Sequence, residues 1–126
     1  MQEALNHLKG RQDFKPFQSS GAKPGSTVRE ILEAEVSFQP LPFPGGDIGS
    51  LHQIGFVRVR IVGTGFLKQM VRGIAGTLLQ VGEKRRDPGC TQEILKTGKR
   101  EDVGPTAPAR ALWLEQVWYP DMPGFL

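Results

Sequence analysis

This sequence predicts an α+β domain with helices packed on one face of an antiparallel sheet, and three observations carry that expectation. Leu32, Ala34, Val36 and Phe38 alternate with Glu33, Glu35 and Ser37, the pattern of a strand with one buried face. A second run, from about Ile54 to Val62, sets Val57, Val59 and Ile61 inward and Phe56, Arg58 and Arg60 outward. From Phe66 to Val81 the period lengthens, and Leu67, Met70, Val71, Ile74, Leu78 and Val81 fall on one stripe of an amphipathic helix.

The remaining elements follow in chain order. Met1, Ala4, Leu5 and Leu8 have helical spacing and predict a short helix over Met1 to Leu8, closed by a turn at Gly10. Residues 18–27, rich in Ser, Gly and Pro, read as loop. Gln39 to Ser50 holds three prolines and three glycines and reads as a connecting loop, across which the two strands pair antiparallel. Gly65 precedes the long helix and Gly82 closes it as a glycine stop. A shorter helix is expected over Thr91 to Lys96, with Thr91 as N-cap and Pro88 upstream. Gly104 to Pro108 forms a rigid turn, and the aromatic-rich stretch Leu112 to Tyr119 reads as a third strand. The order helix, strand, strand, helix, helix, strand leaves the second sheet face to be covered by a partner or a ligand.

At 126 residues the chain is expected to be a single domain, residues 1–126. No apolar run approaches the length of a membrane span, and Met1-Gln2-Glu3-Ala4 has no secretory pattern, so a cytoplasmic protein without membrane contact is expected. Cys90 is the only cysteine and His7 and His52 are the only histidines, which argues against an internal disulfide or a zinc cluster. A formal charge of +3 is compatible with a polyanionic partner without establishing one.

The long helix has an unusual polar side: Lys68, Gln69, Arg72, Gly73, Gly76 and Gln80 lie opposite the apolar stripe. An interior glycine costs roughly 1 kcal/mol relative to alanine. Glycines beside Arg72 therefore imply close approach of a backbone or a ligand, or a second packing surface with Arg72 bonded to a carbonyl. Phe56, Arg58 and Arg60 form an aromatic and basic row that suits RNA, or arginines neutralised by Glu33 and Glu35 across the sheet. Lys84-Arg85-Arg86 complements the helix dipole, and its arginines are also candidates for phosphate. Of the aspartates, Asp13 beside Phe14 and Phe17 suits capping or ion pairing better than catalysis, and Asp47 has no paired base in its loop. No serine, cysteine or histidine constellation and no phosphate-cradling loop is present.

Three segments together resemble the TruA-type tRNA pseudouridine synthases: Gly10-Arg11-Gln12-Asp13-Phe14-Lys15-Pro16-Phe17; Gly65-Phe66-Leu67-Lys68-Gln69-Met70-Val71-Arg72-Gly73-Ile74-Ala75-Gly76-Thr77-Leu78-Leu79; and Gly104-Pro105-Thr106-Ala107-Pro108-Ala109-Arg110-Ala111-Leu112-Trp113-Leu114. Ser26-Thr27-Val28-Arg29 also fits. The resemblance covers the C-terminal half of the family's catalytic region, and so implies half of a pseudouridine synthase fold. It implies isomerisation of uridine to pseudouridine in tRNA without metal or organic cofactor.

It further implies that Arg72 pairs with a nucleophilic aspartate and that Leu112 packs against the target base, with Phe66, Arg85 and Arg86 as further substrate contacts. Gln12, Gly73 and Ala111 stand where the family has His, Asn and Gly. The Arg-Thr-Asp context of the family's aspartate occurs nowhere in these residues, which implies that this chain alone is inactive. A homodimer or a separate N-terminal half is the expected partner besides tRNA. The alternative from another class is a non-catalytic RNA-binding or dimerisation module.

Overall fold

A computed structural model describes residues 1–41 and 55–120. Its elements are α1 (Gln2–Asn6), β1 (Gly10–Asp13), β2 (Val28–Pro40), β3 (Gly55–Gly63), α2 (Met70–Gly82) and α3 (Cys90–Thr97), with short 3-10 turns at Lys15–Phe17, Arg100–Asp102 and Ala109–Ala111. The strands form one antiparallel sheet in the order β1-β2-β3. One sheet face carries the core: Ala4, Leu5 and Leu8 from the N-terminal segment, Met70, Ile74 and Leu78 of α2 and Ile94 of α3 pack with Ile31, Ala34, Phe14 and Phe17. The expected α+β architecture is therefore present.

The pairing of β2 with β3 puts Ala34 opposite Ile61, Val36 opposite Val59 and Phe38 opposite Val57, as the alternation predicts. Leu32 departs from it and is exposed. Ile31 pairs with Gly63 while Glu33 pairs with the adjacent Val62, so Leu32 is the extra residue of a bulge. The bulge shifts the phase, and Ile31 takes the buried place. Strand β2 also runs on to Pro40, into the stretch read as loop; the remainder of that loop from residue 42, with Asp47, and beyond it His52 and the expected strand start at Ile54, lie outside the described residues. Beyond Ile31 the β1 side of β2 has no strand partner among the described residues, and the Gln2 side chain occupies it: its Nε2 donates to Ala34 O at 3.1 Å and its Oε1 accepts from Val36 N at 2.7 Å.

Four further expectations are corrected. Strand β1 falls where only a turn was expected; Gly10 supplies a φ of 96° and the strand pairs with residues 28–31. Helix α2 starts at Met70 rather than Phe66, because Gln69 sits in the left-handed region at φ 60° and Met70 N already closes a turn onto Leu67 O. Its stop is not Gly82 but Lys84, which has φ 60°, while Lys84 N and Arg85 N donate to Val81 O and Gln80 O, a Schellman closure. Gly82 instead lies against Met1: a Cβ there would stand 2.8 Å from Met1 Sδ, a contact that this flexible side chain can relieve. Thr91 is not the N-cap of α3, which is Gly89; the Thr91 hydroxyl is buried and donates to Ala4 O at 2.6 Å, tying α3 to α1.

Leu112 to Tyr119 forms no strand. A strand requires a ladder partner, and among the described residues the backbone of 113–120 makes no hydrogen bond. The segment is instead tethered to β3 through the Glu115 side chain.

Candidate functional site

The polar side of α2 is covered by the chain segment Val103 to Ala107. Gly73 and Gly76 make the groove. A Cβ at Gly76 would lie 1.5 Å from Pro105 O and 3.4 Å from Ala107 N, whereas at Gly73 it would meet Val103 and Phe17 at ordinary contact distance. Thr77 fixes the start of this strap: its buried hydroxyl donates to Gly73 O and accepts from Gly104 N, both at 2.9 Å.

Arg72, on the first turn of α2, fixes the other end. Its Nε donates to Ala107 O at 2.7 Å, and Ala107 N donates back to Arg72 O at 3.1 Å. Both sequence readings of the helix glycines are thus realised at once: a backbone lies close, and the arginine is bonded to a carbonyl. Among the described residues no hydrogen bond reaches either Nη of Arg72. The planar guanidinium is therefore held by one edge, with the other available to a carboxylate in a two-point contact. A cleft of about 200 Å³ opens between α2 and the strap, lined by Gln69, Gly73, Arg100, Gly104, Pro105 and Thr106 among others, and Arg72 itself is not part of its lining.

The other candidates are dispersed. Leu112 follows the 3-10 turn at the end of the strap and is half exposed, its N donating to Ala109 O. Phe66 is partly exposed just before α2, with its ring against Gly63. Arg85 and Arg86 follow the opposite end of α2, and that end, Gly82, is roughly 15 Å along the axis from Arg72. Arg85 is exposed and pairs with Glu83 at 3.2 Å. Arg86 turns inward, donating from Nη2 to Asp102 O, and its buried Nη1 has no hydrogen-bond partner among the described residues.

On the outer sheet face the arginines are neutralised, though not by the pair of glutamates expected. Arg60 contacts Glu33 and Glu115, each at 2.9 Å, and Arg58 contacts Glu115 at 2.8 Å. Arg60 lowers the Glu115 pKa and its own is raised in return, Glu115 first and Glu33 second. Glu115 was not singled out in the sequence, because its partners lie more than fifty residues away. Asp13 serves the fold: its Oδ1 accepts from Thr27 Oγ1 at 2.5 Å and from Lys15 N at 3.0 Å, and these bonds, Thr27's first, hold its carboxyl below the usual aspartate value. Gln12 clips the α1–β1 turn by donating to His7 O and Lys9 O.

The family described as tRNA pseudouridine synthase matches this chain over residues 4–120. That span includes the whole sheet, the arginine helix and the strap. The chain belongs to the tRNA pseudouridine synthase family. A tRNA pseudouridine synthase A of Bdellovibrio bacteriovorus is 42% identical over 120 residues, covering 95% of this chain and 41% of that protein. Those of Myxococcus xanthus and Thermus thermophilus are each 40% identical, over 98% and 96% of this chain and 42% and 43% of their own lengths. The chain thus spans about two fifths of the length of the tRNA pseudouridine synthases it matches. No helix among the described residues is long and apolar enough to cross a membrane.

Proposed function

We propose that this chain supplies the C-terminal half of a tRNA pseudouridine synthase active site, in which Arg72 receives the carboxylate of an aspartate from a polypeptide segment outside these residues. One observation carries the reading: a guanidinium held through Nε by the Ala107 carbonyl, with no hydrogen bond at its Nη atoms among the described residues. A carboxylate in a two-point contact with such a group stays ionised and oriented. The reaction breaks the N1–C1′ glycosidic bond of a uridine in tRNA, joins C5 to C1′ and releases the C5 proton. The uracil leaves its stack to reach the site, where Leu112 and Phe66 supply apolar contact; exposed Arg85 meets phosphate farther along the molecule, and Arg86 joins it only by giving up its bond to Asp102 O. No metal or organic cofactor takes part, and the protein works in the cytoplasm as a dimer.

Tritium release from tRNA carrying 5-tritiated uridine tests this. The chain alone is expected to release none. With the N-terminal region of the Bdellovibrio bacteriovorus relative supplied on a separate polypeptide, release is expected, and Arg72→Ala abolishes it. Sustained turnover by the chain alone would overturn the assignment of the nucleophile to another segment. A folded mixture that binds tRNA but never releases tritium would favour the second reading, a non-catalytic RNA-binding or dimerisation module. That reading draws on the exposed Phe56, Trp113 and Leu114.

A further inference from the structure

The Arg72 guanidinium does not hold its orientation by itself. Arginine carries four rotatable side-chain bonds, and Ala107 O is the one hydrogen-bond partner of this side chain among the described residues. That carbonyl sits in a segment outside regular secondary structure, so something must fix the segment against α2. Two contacts do so, and both come from residues one or two turns along the helix from Arg72. The Thr77 hydroxyl, fully buried, accepts from Gly104 N while donating to Gly73 O. The missing side chain of Gly76 leaves the place that Pro105 O fills. Between these and the Arg72–Ala107 pair, the strap is pinned at Gly104, Pro105 and Ala107, at both ends and in the middle.

We propose that Thr77 is a positioning residue for the isomerisation, acting through the Gly104–Ala107 strap to fix the roll of the Arg72 guanidinium. This rests on the function proposed above for Arg72, although the geometric half of the claim can be tested without it. Loss of the Thr77 hydroxyl leaves Gly104 N without its acceptor in a half-buried place. The strap then loosens at its start, and Ala107 O ceases to hold Nε in one orientation. Serine keeps the hydroxyl and restores the bond; valine keeps the volume and does not.

Nitrogen-15 NMR of the side-chain Nε–H groups in the chain itself reads the geometry directly. The Arg72 Nε–H of the unsubstituted chain should exchange with solvent at least about tenfold more slowly than that of exposed Arg11, since it is bonded to a carbonyl. Thr77→Val should lose most of that protection while backbone amide protection in β2 and β3 persists, and Thr77→Ser should retain it. Equal exchange at Arg72 and Arg11 in the unsubstituted chain overturns the proposal whether or not the valine variant folds. So does a folded Thr77→Val chain with Arg72 still protected, or a Thr77→Ser chain that behaves as the valine variant does.

The second arm is kinetic, using the chain completed by the relative's N-terminal region. There Thr77→Val should lower kcat by about tenfold with KM within about twofold, because misorientation of a charged group is felt in the reacting state more than in binding. Equal loss in KM and kcat, or equal loss with serine, marks a packing role and overturns the proposal. Absence of any activity in the completed unsubstituted protein would count against the function proposed for Arg72, while the exchange measurement still decides the positioning.

Discussion

The carbonyl oxygen of Pro105 occupies the space in which a side chain at Gly76 would stand: a Cβ built on Gly76 lies 1.5 Å from it. The obstacle is backbone and cannot rotate away. Gly76→Ala should therefore destabilise the chain by about 2 kcal/mol, overpacking outweighing the gain of roughly 1 kcal/mol in helix propensity. Gly73→Ala is the internal comparison, because a Cβ there finds only ordinary contacts at 3.5 Å and beyond. It should be neutral or stabilising by up to about 1 kcal/mol. Urea denaturation of the two variants separates them, and equal effects would contradict the difference in space.

Arg72→Lys should be as damaging to activity as Arg72→Ala. An ammonium cannot donate to Ala107 O through a side edge while offering two parallel donors to a carboxylate. Tritium release by the completed protein should fall by at least about a hundredfold in both variants. A lysine variant retaining a third of the activity would show that charge alone suffices at this position.

Asp13 makes a pH-dependent contribution whose sign follows from its depressed pKa. A carboxyl that loses its proton more readily when folded stabilises the fold above its unfolded pKa. That contribution disappears as pH falls through the lower, folded value. Asp13→Asn should thus be less stable than the parent chain at pH 7, and the gap should narrow as the pH falls below the ordinary aspartate range and through the lower, folded value. Urea midpoints at pH 7 and along a descending series of acidic pH values check this; a gap unchanged throughout would place the effect of Asp13 in shape rather than charge.

The sequence revealed what local periodicity controls and concealed what pairing controls. Ala34, Val36, Val59 and Ile61 alternate because one sheet face is buried, and Ile74, Leu78 and Val81 recur at helical spacing for the same reason. Strand β1 has no apolar alternation in Gly10-Arg11-Gln12-Asp13 and exists because β2 offers it an edge. The bulge at Leu32 belongs to the register between two strands, which neither strand states alone. Leu112 to Tyr119 has strand composition without a ladder partner among the described residues. Around Arg72, Gly73 and Gly76 announced a close approach, yet the identity of the approaching segment depended on contacts about thirty residues away. Thr77 gave no signal, since a buried threonine in a helix reads as core until its hydroxyl is traced.

Glu115 masks two arginines that a phosphate would otherwise meet. Exposed ion pairs of this kind contribute little to stability, so Glu115→Ala should leave the urea midpoint nearly unchanged. Affinity for tRNA should rise instead. The slope of log K against log salt should steepen by about one to two, as each freed arginine displaces a counterion. Filter binding across a salt series measures both, and an unchanged slope would show that RNA does not reach the outer sheet face.

Self-association follows from the apolar surface beside that ion-pair network. Trp113 is 84% exposed, Leu114 81% and Phe56 64%, and among the described residues no helix covers the outer sheet face. Clusters of this size seek a partner, and a second copy of the chain related by a two-fold axis is the commonest solution. Sedimentation should therefore show a dimer at micromolar concentration that is little weakened by salt, because its contacts are apolar rather than ionic. Trp113→Ser combined with Leu114→Ser should raise the dimer dissociation constant at least about tenfold, since two large side chains lose their buried area. The two positions lie in a segment without backbone hydrogen bonds among the described residues, so the substitutions should leave the monomer fold intact. A dimer that dissolves in salt but ignores both substitutions would move the interface to charged surface elsewhere. A monomer at every concentration would mean that these aromatics do not pair with a second copy. The N-terminal region supplied as a separate polypeptide would then be the occupant to test, by the same sedimentation experiment with and without Trp113.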